Sequence, residues 1–173
     1  MINVKTYEFD LKFRLPTSSQ NPADFVERLA GTGCTDALVG IGRTGRIAFR
    51  FTRNASGSLE AVLSAINDIK QAIPEAVLIE AAPDLVGLSD IADILGYSRQ
   101  NMRKLMMNNL ATFPTPIHEG KTMLWHLFSI LDWIRKTNRY EVDELLIDIA
   151  NTNMQLNIAK EAVHLDASIQ ERL

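Results

Sequence analysis

The sequence predicts an α+β fold in three parts, and three patterns carry that prediction. Apolar and charged residues alternate from Tyr7 to Leu15, which is the period of a strand with one buried face. Two short helical stretches flank Gly96, and an apolar repeat at helical spacing begins at Val142. We therefore predict an α+β domain over 1–82, a helical module over 83–139 and an acidic C-terminal helix over 140–173.

The first strand is followed by a predicted helix. Asn21 is a candidate N-cap, and Pro22 suits the first helical position because its missing N–H would have no helical partner there. Gly31 ends the helix. The predicted buried stripe comprises Phe25, Val26 and Leu29.

The rest of this part predicts a hairpin, a second helix and a last strand. The hairpin strands cover 36–41 and 46–52, the helix begins at Ser58 and ends before Pro74, and a strand covers 76–80. The predicted buried stripe of the helix comprises Leu59, Val62, Leu63, Ile66 and Ile69. Strand, helix, two strands, helix, strand is the order of a ferredoxin-like sandwich, in which both helices cover one face of the sheet.

The segment from Gly40 to Gly45 matches the glycine spacing of a dinucleotide-binding loop. Such a loop must open a helix, whereas a strand is predicted here, so we interpret residues 43–45 as a hairpin turn. Arginines flank this turn, with Arg46 and Arg50 on one side of the strand. They are either solvated or placed to bind an anion, an acidic partner or flanking DNA. The four arginines are Arg43, Arg46, Arg50 and Arg53.

Residues 88–105 predict two short helices joined by a glycine turn. Ala92 is small enough for the helices to cross closely, and Gly96 can adopt the positive φ that ends a helix. Ser89 and Ser98 are the predicted N-caps. The predicted buried face of the second helix comprises Met102, Leu105 and Met106.

The opposite face of this second helix, over 99–107, carries the predicted contacts to double-stranded DNA. Arginine can pair with guanine through two hydrogen bonds, glutamine with adenine, and lysine or arginine with phosphate. A solvated face on an ordinary helical hairpin is the alternative. The candidate contacts are Ser98, Arg99, Gln100, Asn101, Arg103 and Lys104.

A wing is predicted after these two helices. Residues 113–117 indicate a proline-stiffened strand, Gly120 and Lys121 a turn, and a returning strand leads to Trp125. Lys121 would contact phosphate or the minor groove, or else be an exposed lysine on a core-packing loop. Trp125 is expected to pack the hairpin on the helical core. The apolar face of that core continues on a third helix, at Ile130, Leu131, Trp133 and Ile134.

The stretch from Val86 to Ile134 resembles the winged helix-turn-helix of the AlpA/excisionase and MerR-like group. That group shows a Phe-Pro-x-Pro step, a wing that contains glycine, and two tryptophans eight residues apart. The matching residues are Phe113, Pro114, Pro116, Gly120, Trp125 and Trp133. Phe128 departs from the pattern, since relatives place a small or polar residue there, and Ser129 becomes the candidate cap of the last helix of the module.

Two upstream segments resemble a set of bacterial helix-turn-helix regulators. These carry Gly-Cys-x-Asp-Ala in the first domain and end it with Pro-Asp-x-Val, as at 33–37 and 83–86 here. The resemblance implies a winged-helix fold, a double-stranded DNA partner, and reading residues between Ser98 and Lys104.

The distribution of charge agrees with a local DNA-binding patch in a chain of net charge −3. Residues 1–85 carry nine Lys or Arg against ten Asp or Glu, and residues 141–173 carry two against seven. Residues 86–140 carry seven against four. Because screening limits the reach of exposed charges to about 8 to 10 Å, the local excess matters more to a phosphate than the remote acidic tail.

The acidic tail predicts a helix with an apolar seam. Its seam positions are Val142, Leu145, Ile149, Thr152, Leu156, Ala159 and Val163. A seam of this kind favours a homodimer, because two reading heads would then span half-sites one DNA turn apart. Packing of the helix on its own chain is the alternative.

The sequence predicts neither catalysis nor a cofactor. His118, His126 and His164 are dispersed, and Cys34 is the lone cysteine, so neither a metal site nor a nucleophile motif is expected. The apolar runs fall short of the ~20 residues of a membrane span, and we expect a bacterial cytoplasmic protein that associates with the nucleoid.

Three functions fit these patterns. The first is a dimeric, sequence-specific transcriptional regulator that reads the major groove with residues 99–107. The second is an antitoxin or immunity protein, which binds a protein partner and autoregulates its operon. The third is an excisionase-like architectural factor for recombination, which would bind tandem sites in bent DNA.

Overall fold

The computed structural model describes residues 4–16, 22–32, 34–41, 45–138 and 140–172. Its first elements are β1 (Lys5–Arg14), α1 (Pro22–Gly31), β2 (Ala37–Ile41), β3 (Arg46–Ala55), α2 (Ser58–Ala72) and β4 (Val77–Ala82). The elements that follow are β5 (Leu85–Val86), α3 (Leu88–Leu95), α4 (Arg99–Met107), β6 (Trp125–His126), α5 (Leu127–Thr137), α6 (Glu144–Ala162) and α7 (Ala167–Gln170). The predicted α+β class is confirmed.

A four-stranded sheet in the order β2-β3-β1-β4 forms the framework of the first half. Each neighbouring pair of strands is antiparallel. Phe9 lies opposite Phe51 in the register of β1 and β3, and their rings stack with centroids 5.3 Å apart. The alternation predicted for β1 is confirmed, because every second side chain enters one core. The buried strand residues include Tyr7, Phe9, Leu11, Phe13, Ile47, Phe49 and Phe51.

The helices α1 and α2 bury their inner faces in the same core. Phe25 and Leu29 of α1 are buried as predicted, but Val26, Leu59 and Leu63 are exposed. The expectation for these three was wrong. For Leu59 and Leu63 the reason is that the buried face of α2 is built on small residues, which let the helix lie close to the sheet. The buried residues of α2 are Ala61, Val62, Ala65, Ile69 and Ala72. The predicted cap Asn21, the turn residues 43 and 44, and Gly33 lie outside the described residues.

A second core holds the helical module together. It joins α3, α4 and α5 with the two-residue strands β5 and β6, which pair antiparallel. α5 begins at Leu127 after His126, so the predicted cap Ser129 lies inside the helix rather than at its start. The module is connected to the sheet through Asp84, whose carbonyl oxygen accepts a hydrogen bond from the Leu127 amide at 2.7 Å.

Helix α6 packs between the two cores. Ile149 belongs to the core of the sheet, whereas Ile147 and Ala150 belong to the core of the helical module. At 100° per residue, positions 147 and 149 point to nearly opposite sides of a helix. Ile149 and Thr152 are buried, and the Thr152 hydroxyl lies 2.7 Å from that of Ser58. The seam predicted to bind a second copy therefore packs largely on its own chain, and its far end is exposed at Val163.

Candidate nucleic-acid interface

The turn between α3 and α4 is closed by hydrogen bonds to the end of α3. Gly96 adopts φ 70°, in the left-handed region that favours glycine. The Tyr97 amide donates to the Ala92 carbonyl at 2.8 Å, and the Gly96 amide donates to the Asp93 carbonyl at 3.3 Å. This pair of bonds is a Schellman motif, which satisfies two carbonyls that a helix end leaves free. The predicted role of Gly96 is confirmed, and Ala92 is buried.

The two helices are capped in different ways. The Ser98 hydroxyl accepts a hydrogen bond from the Asn101 amide at 3.2 Å, as predicted for the cap of α4. The prediction for Ser89 was wrong, because α3 begins two residues earlier than that cap requires, at Leu88, with Gly87 as its N-cap. There the Asp90 carboxylate accepts a hydrogen bond from the Gly87 amide at 2.8 Å, and its charge suits the positive end of the helix dipole.

The helix α4 has one buried face and one exposed face. Met102, Leu105 and Met106 enter the core of the helical module, as predicted. The polar residues predicted to read DNA lie on the exposed surface of the chain, so their side chains are accessible to a partner. They are Ser98, Arg99, Gln100, Asn101, Arg103 and Lys104.

The predicted wing is a loop rather than a regular hairpin. Leu124 and His118 form one antiparallel bridge, in which the Leu124 amide donates to the His118 carbonyl at 3.0 Å and the His118 amide donates to the Leu124 carbonyl at 3.4 Å. The Ile117 amide donates to the same Leu124 carbonyl at 2.8 Å. The strand expected over 113–117 does not form, because Pro114 and Pro116 have no N–H to donate to a partner strand. Lys121 lies in this loop and is exposed, as predicted.

Trp125 fixes the loop to the module. Its side chain is buried, and its indole N–H donates to the Pro114 carbonyl at 2.9 Å. Phe113 packs edge to face against Trp125 and Trp133, with centroids 6.0 and 5.1 Å away. Both ends of the wing are therefore held by one aromatic cluster, as expected for Trp125.

A groove of about 300 Å³ runs between α4 and the wing, and we call it the α4–wing groove. Arg99 and Arg103, one helical turn apart, line it together with Lys121. The structure thus brings three of the seven predicted contact residues to one place. Gln100, Asn101 and Lys104 lie on α4 outside the lining of this groove. The other lining residues are Leu88, Met106, Met107, Thr122, Met123 and Trp125.

The cations of this surface lack carboxylate partners. In the described parts of the chain, no Asp or Glu oxygen lies within 4.0 Å of a charged nitrogen of Arg99, Arg103, Lys104 or Lys121. Elsewhere in the module, Lys136 and Arg135 both bind Asp132, at 2.6 and 2.7 Å. The hydrogen bond donated by Lys136, and to a smaller extent that donated by Arg135, lowers the pKa of the Asp132 carboxyl. The α4–wing groove therefore offers positive charge that the chain itself does not neutralise.

Sequence reasoning missed several residues of the groove, among them Met107 and Thr122. Met107 is an exposed apolar residue of α4, and Thr122 places a hydroxyl beside Lys121. The spacing of 99, 103 and 107 in steps of four was the available signal for Met107, since such residues share one side of a helix. An apolar side chain there can contact a thymine methyl group, and a hydroxyl can bind phosphate.

The described part of the chain contains no cluster of three or more His, Cys, Asp or Glu side chains placed to hold a metal ion. Over the same residues, no helix combines the length and the apolar character that a membrane span requires.

No protein-family model, curated protein or solved structure matches the chain. Its function is therefore inferred from its residues and their geometry.

Proposed function

We propose that this chain is a sequence-specific regulator of transcription that binds double-stranded DNA in the bacterial cytoplasm. It inserts α4 into the major groove, where Arg99, Gln100 and Arg103 contact base edges, while Lys104 and Lys121 contact phosphates. The protein acts by occupying its operator and carries out no chemistry of its own.

The observation that carries this proposal is the α4–wing groove. Arg99 and Arg103 of α4 and Lys121 of the wing line it without a carboxylate at ion-pair distance in the described chain. Exposed cations with no internal partner are available to phosphates, and a short helix with a polar outer face fits a groove about 12 Å wide. The buried face of α4 holds that helix rigidly, because Met102, Leu105 and Met106 lie in the core.

We also propose finer fold assignments for both halves. The strand order β2-β3-β1-β4, with α1 and α2 packed into one core, supports a ferredoxin-like sandwich. The pairing of β5 with β6 around α3 and α4 supports a winged helix-turn-helix similar to that of the AlpA/excisionase and MerR-like group.

A homodimer on a two-fold symmetric operator is part of the proposal. Since Ile149 and Thr152 of the predicted seam are buried in their own chain, the dimer contact must use other residues. The exposed Val163 and Ile169 near the end of the chain support a contact there. Light scattering of the full chain tests this, with two chains per particle as the expected mass and one chain per particle as the contradicting one.

The experiment for DNA binding begins with selection of sites by the full chain from a randomised duplex library. We expect one enriched motif, whose two half-sites have centres about one helical turn of DNA apart. The double variant R99A/R103A should bind the selected site about thirtyfold more weakly or worse, because each bidentate arginine contact contributes about 1–3 kcal/mol of discrimination.

The matched control is R14A/R46A, which removes two exposed arginines from the sheet. It should keep its affinity within about threefold, and R99A/R103A should unfold at the same urea concentration as the parent. Failure to enrich a motif, or equal affinities of R99A/R103A and the parent, would contradict the proposal. Enrichment of several tandem sites would instead indicate the recombination factor.

A protein partner for the first half is the second candidate function, and one observation favours it. Arg14 and Arg46 lie directly opposite each other in β1 and β3, and both are exposed. Like charges opposite each other destabilise a sheet by up to about 1 kcal/mol, which an acidic partner would relieve. An antitoxin or immunity role predicts an acidic protein that copurifies with the parent and is lost with R14E/R46E.

A further inference from the structure

A second cavity, of about 760 Å³, lies where the sheet, the wing and the C-terminal helix meet. Its walls come from β4, from the residues before α3, from the wing and from the end of α6. They are largely apolar, and the side chains that matter here are Ile79, Leu85, Ile117, Ile158 and Leu165. A cavity of this size holds a drug-sized molecule, since ligand sites usually measure about 300–1,000 Å³.

Three polar side chains meet at one wall of this cavity. The Asp84 carboxylate is fully buried, with one oxygen 2.7 Å from His126 Nδ1 and the other accepting a hydrogen bond from the Asn157 amide at 2.8 Å. Because an ionised carboxylate can only accept, the proton of this contact lies on Nδ1, and Nε2 is the ring nitrogen left for a ligand. His126 lines the cavity, and its Nε2 has no hydrogen-bond partner in the described chain.

The exposed charged side chains around the cavity are paired within the chain. Glu80 binds Lys12 at 2.8 Å, and Lys160 binds the neighbouring Glu161. The remaining carboxylate of the lining, Asp84, is fully buried, and its two oxygens are hydrogen-bonded to His126 and Asn157. A charged ligand would find no accessible, unpaired charge here, so the lining suits an uncharged one.

We propose that this cavity binds an uncharged, mostly apolar small molecule with one hydroxyl group, such as an aryl alcohol. The hydroxyl donates a hydrogen bond to Nε2 of His126, and the apolar body packs between Leu85, Ile158 and Leu165. The recognition resembles other ligand pockets, in which an apolar lining supplies affinity and a few polar groups fix orientation.

The position of the cavity couples it to the wing. Leu85 pairs with His126 across β5 and β6, and Trp125 next to His126 lines the α4–wing groove. A ligand held by His126 therefore contacts the strand that carries the wing. We infer that such a ligand changes affinity for DNA, and this part rests on the proposed function.

Calorimetric titration of the full chain with 2-naphthol and with its methyl ether tests the site without any DNA. We expect saturable binding of 2-naphthol at one site per chain. The ether should bind about tenfold more weakly or worse, because it leaves Nε2 without a donor. Absence of saturable binding, or equal binding of the two compounds, would overturn the proposal.

The variant I158R places a charge in the cavity at a half-exposed position and should weaken 2-naphthol binding at least tenfold. Its matched control is L59R, at an exposed position of α2, which should bind like the parent. L165R repeats the test if I158R does not fold. Unchanged 2-naphthol binding by a folded cavity variant would overturn the proposal. The proposal would also be overturned if the parent is a dimer and I158R is a monomer, because a second copy of the chain would then fill the cavity.

Discussion

Arg53 in the sheet and Arg103 on α4 differ in their burial and in their carboxylate partners. The Arg53 guanidinium is nine-tenths buried and donates to both oxygens of Asp36, at 2.7 and 2.9 Å. It also binds Asp68 at 2.8 Å and the Ser64 hydroxyl at 3.0 Å, and it lies over the Phe51 ring. Arg103 is exposed, lines the α4–wing groove and has no such partner in the described chain.

This difference shows that the contacts of an arginine indicate its role better than its residue type does. The hydrogen bonds that Arg53 donates to Asp36 raise the pKa of Arg53 further above its already high value. Its charge therefore serves to connect β3 to α2 and to Asp36, the residue before β2. On the open face of the sheet, Arg50 binds Asp10 at 2.9 Å in the same way. A chain with net charge −3 can therefore present a basic surface where its carboxylates are absent.

The largest effect is expected from Arg53→Met. Removal of the guanidinium leaves the Asp36 and Asp68 carboxylates, which are 30% and 27% exposed, without their common cation. We expect the free energy of unfolding to fall by about 2 kcal/mol, below the range for a fully buried pair because water still reaches both carboxylates. Urea denaturation measures it.

Arg50→Met is the matched control for that variant, since it removes an ion pair whose arginine is exposed. Its urea midpoint should coincide with that of the parent. Equal losses of unfolding free energy in the two variants would show that burial of the arginine does not determine its contribution to stability, which would contradict the comparison.

A smaller effect is expected from Lys121→Ala. If Lys121 contacts one phosphate, its removal lowers the slope of log affinity against log salt by about one and weakens binding about fivefold near 0.15 M salt. The loss should be the same for selected and unrelated duplexes, because phosphate contacts do not read sequence. Lys136→Ala, which removes a cation already bound to Asp132, is the control and should keep the parental slope. If Lys121→Ala keeps the parental slope of log affinity against log salt, the wing does not contact DNA through Lys121.

The finest test of the Arg53 cluster is its dependence on pH. Hydrogen bonds from Arg53 hold the pKa of Asp36 below its ordinary value of 3.8. A lowered pKa in the folded state means that Asp36 contributes stability above pH 3.8 and loses it as the pH falls through the lowered value. The urea midpoints of the parent and of Asp36→Asn should differ at pH 7 and converge below pH 3.8. A difference that grows on acidification would contradict the assignment.

The periodic elements could be predicted from the sequence because their signals are local. The alternation in β1, the two faces of α4, the Gly96 turn and the Ser98 cap each depend on a few adjacent residues. The exposure of Leu59 and Leu63 could not be read from apolar spacing alone. On α2 the small residues Ala61 and Ala65 determine which face packs on the sheet, and this depends on tertiary packing rather than on the local apolar pattern.

The polar clusters were missed for a different reason. Arg53 is in phase with the buried Phe49 and Phe51, which was a usable sign that it needs carboxylate partners. Its partners Asp36 and Asp68 come from other elements and are fixed only by the register of the sheet and the position of α2. The contact of Asp84 with His126 spans 42 residues, and no local pattern indicates it.

The measurement that most directly tests the central claim is a double-mutant cycle between Arg103 and the selected DNA. Affinities of the parent and of Arg103→Ala are compared on the selected duplex and on duplexes in which single G·C pairs are replaced. If Arg103 reads a guanine, one replacement weakens the parent but leaves Arg103→Ala unaffected, a coupling of about 1 kcal/mol or more. Additive losses at every G·C pair would contradict base reading by α4 at Arg103.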